Sequence, residues 1–158
     1  MKRYAAILAP VAFFCVVLPR NSFAQNDPRV GIWKLNLVKS KYTPGPPPAR
    51  EMRSYSPQGK LVLVKVESID VKGAATALQY AAGDDGKDYP MSGLAAGNAI
   101  SQKRIDANHF QVDTKKDGKL IGTTTDEVSK DGKVMTRTTT LTAPGGQAIR
   151  NIAVYDKQ

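Results

Sequence analysis

The chain has 158 residues, a net charge of +9 at neutral pH and a single cysteine. This length fits one domain, and one thiol allows no intramolecular disulfide. The lysines and arginines lie among acidic residues, as in "KKDGK" and "SKDGK", and do not interleave with aromatic residues, which excludes the clustered basic face that binds nucleic acid.

Residues 1–24 have the pattern of a secretory signal peptide: a basic start, an apolar run over residues 5–18 and small residues ahead of a cut after Ala24. The apolar run is too short to span a membrane, which takes about 20 residues. We therefore expect a secreted or periplasmic protein whose single domain occupies residues 25–158. Cleavage would remove Cys15, so the remaining chain would be held together by its core alone.

The domain begins with a predicted strand over residues 29–38, in which Trp33, Leu35 and Leu37 share one face. The segment "TPGPPPA", residues 43–49, follows this strand. Its prolines exclude both a helix and a central strand, because proline fixes φ and lacks the backbone donor. We interpret the segment as an extended connector or lid within one domain; a proline-rich segment can also bind a partner protein.

The rest of the chain is predicted to form short strands joined by turns that contain glycine. No window has a helical period, and the threonine-rich and valine-rich runs favour strands. Nine further strands are predicted, at residues 50–56, 61–71, 75–82, 89–92, 99–106, 109–115, 120–129, 134–143 and 148–156.

Four similar tripeptides are predicted to form turns between these strands: Gln58-Gly59-Lys60, Asp85-Gly86-Lys87, Asp117-Gly118-Lys119 and Asp131-Gly132-Lys133. Asp-Gly suits a tight hairpin because both residues tolerate a positive φ. Strands joined by hairpins pair with their sequence neighbours, and closing such a sheet removes its unpaired edges. We therefore predict an all-β fold, an antiparallel up-and-down β-barrel of about eight to ten strands, rather than a two-sheet sandwich.

The two ends of the domain resemble a known superfamily of barrels. Residues 31–42, "GIWKLNLVKSKY", resemble the opening of the calycins, which include the lipocalins and the fatty-acid-binding proteins. Residues 152–157, "IAVYDK", resemble the last strand of the fatty-acid-binding branch. More closely, the chain resembles a group of small secreted bacterial proteins of the lipocalin type, through "DGKDYP", "VSKDGKVMT" and the terminal "VYDK".

This resemblance implies roles for a few residues. In calycins the tryptophan of Gly-x-Trp closes one end of the barrel, as Trp33 would here, and an arginine from a late strand, here Arg150 or Arg137, lies across it. Fatty-acid-binding proteins bind the ligand carboxylate through Arg-x-Tyr on the last strand. This chain matches the tyrosine with Tyr155 but has Ala153 in place of the arginine.

The residues themselves suggest contacts for a ligand inside the barrel. If Met135 and Thr139 face inward, then Arg137 also does, and its charge requires a buried carboxylate or an anionic ligand group. Asn151 and Tyr155 would supply hydrogen bonds from the last strand. In the alternative interpretation, the other threonine face of this strand points inward, or Arg137 lies near a barrel mouth in water.

The other candidate sites in the sequence have simpler interpretations. His109 is the only histidine, and we interpret it as a solvated turn residue rather than an axial haem ligand. The spacing of Asp84, Asp85 and Asp88 does not match a calcium loop. No metal or cofactor is expected, and no nucleophile, base and orienting group can be identified together, so an enzyme is not expected.

Two functions remain open from the sequence. In the first, an exported lipocalin-like barrel binds a small hydrophobic or amphipathic ligand, with Trp33 at the closed end and Arg137, Asn151 and Tyr155 as its contacts. In the second, the barrel holds no ligand and acts through its surface and its proline-rich connector as an envelope scaffold or inhibitor.

Overall fold

A computed structural model describes residues 27–94, 97–142 and 145–158, and the predicted signal peptide lies outside these ranges. Within them the chain forms β-strands and no helix, so none of these residues belongs to a helix long and apolar enough to cross a membrane. The strands are β1 (Gly31–Leu35), β2 (Lys41–Thr43), β3 (Arg50–Gln58), β4 (Leu61–Ile69), β5 (Ala75–Ala82), β6 (Asp85–Ser92), β7 (Ala99–Arg104), β8 (His109–Lys116), β9 (Lys119–Val128), β10 (Val134–Thr142) and β11 (Ala148–Lys157).

The strands form one closed antiparallel sheet. Each strand from β3 to β10 pairs with the next along the chain, and β1 pairs with both β3 and β11. Ten strands therefore close an up-and-down barrel, which confirms the predicted fold class. Closure leaves no free edge around the ring, the hazard that an open sheet of this length would carry.

The predicted first strand is shorter than expected, and a second short strand follows it. The chain turns after β1, where Asn36 accepts a hydrogen bond from the backbone of Lys39 (3.1 Å) and Ser40 donates to the Asn36 carbonyl (2.6 Å). After this turn β2 pairs with residues 150–152 of β11, on the N-terminal side of the part that pairs with β1. Residues 44–49 then lead from β2 to β3 outside any strand, as the prolines require.

One of the four predicted hairpin turns was wrong. The turn between β5 and β6 lies at Gly83 and Asp84, and the tripeptide from Asp85 to Lys87 begins β6 instead. Asp84 is held there by an ion pair with the buried Arg29 (3.0 Å). Gly86, with a positive φ of 74°, lies where the pairing of β6 with β7 shifts register, between Asp85 and Asp88. The turn at Asp117-Gly118 is as predicted, with φ of 49° and 78°.

The two ends of the barrel differ in how well they are filled. We call the end that carries the connections after β3, β5, β7 and β9 the closed end. We call the opposite end, which carries residues 44–49, the mouth. The fully buried side chains at or near the closed end are those of Arg29, Trp33, Phe110, Val128 and Met135. Toward the mouth, several inward side chains are only partly buried, although Thr124 among them is buried. The partly buried ones are Leu78, Thr114, Thr139, Leu141 and Asn151.

Candidate functional site

Trp33 lies at the closed end, as the calycin resemblance implies. Its side chain is fully buried, and its indole Nε1 donates to the carbonyl of Arg29 (2.7 Å). The cation across its ring is not Arg150 or Arg137 but Lys157, whose Nζ lies 5.0 Å from the ring centroid. The strand register explains this correction, because Lys157 is the residue of β11 directly opposite Trp33.

Arg29 seals the closed end, a role that the sequence did not indicate. Its guanidinium lies 3.6 Å from the centroid of the Phe110 ring and forms ion pairs with Asp27 (2.6 Å) and Asp84 (3.0 Å). Burial opposes the charge, but the hydrogen bonds and charge of Asp27, with that of Asp84, outweigh it and raise the pKa of Arg29. Asp84 and the further contact Gln102 are 55 and 73 residues away in sequence, so no local pattern reveals the cluster.

Arg137 points into the barrel, so the interpretation with the other threonine face inward was wrong. Its side chain is 7% exposed. Its Nη1 donates to the hydroxyl of Tyr55 (2.6 Å) and to the carboxylate of Asp126 (2.9 Å), whose side chain is fully buried. The buried carboxylate that an inward arginine requires is therefore supplied by the neighbouring strand β9.

Tyr155 meets a second arginine, Arg53, that arrives from β3. The hydroxyl of Tyr155 donates to Glu51 (2.6 Å), and Nη1 of Arg53 donates to the same carboxylate oxygen (2.9 Å) and lies 3.5 Å from the hydroxyl. In the fatty-acid-binding motif the arginine beside this tyrosine would come from position 153, which is Ala153 here. Arg53 of β3 lies near Tyr155 instead. The alternation of Glu51, Arg53 and Tyr55 along β3 is the sequence signal that could have identified this inward polar face.

Asn151 lies nearer the mouth than the other predicted residues. It is half-buried, and its side-chain oxygen accepts from the backbone N–H of Thr43 (3.2 Å), which ties β2 to β11. Opposite it on β10, Thr139 shares a hydrogen bond with Thr124 of β9 (2.9 Å between the hydroxyl oxygens). The structure therefore separates the four predicted residues: Trp33 lies at the closed end, Arg137 and Tyr155 lie in the middle of the barrel, and Asn151 lies toward the mouth.

The charged side chains in the middle of the barrel balance one another, and some of their N–H donors are unused. Two arginines, Arg53 and Arg137, face two carboxylates, Glu51 and Asp126. In the described structure, the side-chain hydrogen bonds of both arginines pass through Nη1 alone. Their remaining N–H groups are donors that a hydroxyl, carbonyl or carboxylate group could accept from.

Tyr80, also in the middle of the barrel, is expected to make the free energy of unfolding depend on pH in the alkaline range. Burial, with a contribution from the neighbouring Tyr55, raises the pKa of Tyr80 from 10.0 to about 12. Between these values the unfolded chain loses a proton that the folded protein keeps, so the free energy of unfolding should fall as pH rises, by up to about 3 kcal/mol. Denaturant unfolding from about pH 9 to 12 measures this loss. Burial also raises the pKa of Tyr42 and of Tyr155, so Tyr80→Phe should reduce the loss without abolishing it, and an unchanged slope would contradict the assignment.

The described residues hold no group of three or more His, Cys, Asp and Glu side chains placed to bind a metal ion. His109 is the first residue of β8, and its Nδ1 lies 2.8 Å from Asp106 at the surface. A cleft of about 620 Å³ lies at the closed end, between β5 and β6, and none of the four predicted residues lines it. No family model and no curated protein sequence matches this chain.

Proposed function

We propose that this protein is an exported barrel of the lipocalin type that binds a small hydrophobic or amphipathic molecule in the mouth half of its interior. The observation that carries the proposal is the gradient of burial along the barrel. The inward side chain of Trp33 is fully buried, whereas Thr139, Leu141 and Asn151 are only partly buried. A ligand entering at the mouth would cover surface that the chain leaves in contact with water.

The chemistry of this region suits a molecule with an apolar body and one polar group. Leu78 and Leu141 are partly buried apolar side chains near the mouth. Arg53, 12% exposed at its side chain and paired with Glu51, is aligned with Leu78 through β4. The polar group of the ligand would accept from the unused N–H groups of Arg53 and Arg137. Trp33 lies beneath this layer and closes the barrel without touching the ligand.

Titration with anilinonaphthalene sulfonate, a fluorescent amphipathic probe, tests the proposal. The matched variants are Thr139→Phe, which fills the mouth, and Thr140→Phe, which places the same ring on the exposed outer face of the same strand. We expect saturable binding that Thr139→Phe weakens at least about tenfold and Thr140→Phe changes by less than about twofold. Equal effects of the two variants would contradict the proposal. An absence of saturable binding would also contradict it and would favour the scaffold or inhibitor alternative.

A further inference from the structure

The cleft at the closed end lies where β5 and β6 part. The two strands pair only at Gln79 with Ser92 and at Tyr80 with Met91, near the mouth side of β6. Toward the closed end they separate, and the turn residue Gly83 has no side chain to fill the gap. The resulting cleft of about 620 Å³ falls in the range of small-molecule pockets, roughly 300–1,000 Å³.

The walls of the cleft are largely apolar. Leu61 at the start of β4 and the ring of Tyr89 on β6 line it, together with the aliphatic stems of longer side chains. Tyr89 packs against the barrel core, and its hydroxyl lies 3.2 Å from both carboxylate oxygens of Asp85. The aromatic wall is therefore held in a fixed orientation before any ligand arrives.

The two acidic residues of the cleft already have cationic partners. Asp84 pairs with Arg29 (3.0 Å), and Asp85 pairs with Lys87 (3.1 Å). Hydrogen bonds from the backbone and ammonium of Lys87, with that of Tyr89, hold the pKa of Asp85 below its ordinary value, so this carboxylate stays ionised and paired. Neither acid is left to attract a cationic ligand.

Two cationic residues of the cleft, Lys60 and Arg104, have no acidic partner within 4.0 Å among the described residues. Arg104 is oriented by its donation to the carbonyls of Asp106 (3.0 Å) and Ala107 (2.9 Å) through Nε and Nη2. Its Nη1 makes no hydrogen bond in the same part of the chain. The unpaired charge at this cleft is positive.

We propose that this cleft is a binding site for a small planar aromatic carboxylate. The ring would pack against Leu61 and Tyr89, and the carboxylate would accept from Nη1 of Arg104 and from Lys60. The site lies at the opposite end of the barrel from the mouth and does not depend on the function proposed for the mouth.

Gly83 offers a direct way to fill the cleft. A Cβ at this position would lie 3.0 Å from the hydroxyl oxygen of Tyr89 and 3.4 Å from Cδ2 of Leu61, the two apolar walls. Gly83→Ala therefore reduces the space between them without placing a side chain in a left-handed backbone conformation. Lys60→Gln removes one unpaired charge from an exposed residue, and Lys72→Gln, in the exposed turn after β4, is its matched control.

The test is a titration of the protein with 2-naphthoate, followed by NMR amide shifts. We expect shifts at Leu61, Gly83 and Tyr89, with affinity about tenfold weaker for uncharged 2-naphthamide. Gly83→Ala should weaken 2-naphthoate binding about tenfold and Lys60→Gln about threefold to tenfold, whereas Lys72→Gln should change it by less than about twofold. The dispersion of each variant's spectrum reports whether it remains folded.

Three results would overturn the inference: equal affinity for the acid and the amide, loss of affinity in Lys72→Gln as large as in Lys60→Gln, or no shifts at the cleft. Shifts confined to Thr139 and Asn151 would place the carboxylate in the mouth, which would reject this site while supporting the function proposed for the mouth.

Discussion

Replacing Arg29 with methionine is expected to lower the free energy of unfolding by about 3–5 kcal/mol. Methionine keeps much of the apolar stem but removes the guanidinium that lies over Phe110, and the backbone carbonyl that accepts from Trp33 remains. The carboxylate of Asp27, 1% exposed at its side chain, would then be buried without its cation, and Asp84 would lose its partner as well. Urea unfolding followed by Trp33 fluorescence measures the loss.

Lys39→Met is the matched control for Arg29→Met, because it removes a cation from an exposed ion pair. Lys39 and Asp156 are 3.6 Å apart and about half exposed, so solvent screens their attraction and the expected loss is below about 1 kcal/mol. A protein carrying Arg29→Met that is as stable as the Lys39→Met variant would contradict the assignment of Arg29 as the residue that seals the closed end.

Replacing Arg137 with methionine is the second change with a large expected effect, a loss of about 3–5 kcal/mol. Asp126 would keep its buried charge and lose the donor to its Oδ2, and its Oδ1 already has no hydrogen-bond partner among the described residues. The hydroxyl of Tyr55 would lose the same donor. An unpaired buried carboxylate is costly unless it takes up a proton.

The double variant Arg137→Met, Asp126→Leu should recover most of that stability, because apolar replacement of both partners of a buried ion pair is often close to neutral. A double-mutant cycle with the two single variants measures the coupling, which should be at least about 2 kcal/mol. Additive losses would show that Arg137 and Asp126 do not depend on each other, and that the charge of Arg137 is balanced by some other group.

The strands could be predicted because their signals are local. Alternating apolar residues predicted that Trp33, Leu35 and Leu37 face inward; the first two do, but Leu37 follows the end of β1 and is exposed. The same alternation correctly placed Arg137 inward once Met135 was assigned to the core. The second short strand, β2, was missed because the break before it depends on hydrogen bonds of Asn36 and Ser40. Those bonds have no distinctive sequence pattern.

The polar interior was only partly predictable. Tyr155 and Arg137 were identified from face assignments on single strands, but their partners Glu51, Arg53 and Asp126 lie on other strands, and the register decides which of them meet. Closure of the barrel also brings β1 to β3 and β11. Such long-range pairing cannot be derived from periodicity, which reports the face of a residue but not its neighbour across the sheet.

Thiol modification tests most directly whether the mouth is accessible and binds a ligand. In a chain with Cys15→Ser, the inward Thr139→Cys and the outward Thr140→Cys each provide a single thiol for a maleimide. Saturating anilinonaphthalene sulfonate should slow modification at Thr139→Cys at least about fivefold and leave Thr140→Cys unchanged, since only the first thiol lies in the mouth. Equal rates with and without the probe at Thr139→Cys, under conditions where the probe is bound, would contradict ligand binding in the mouth.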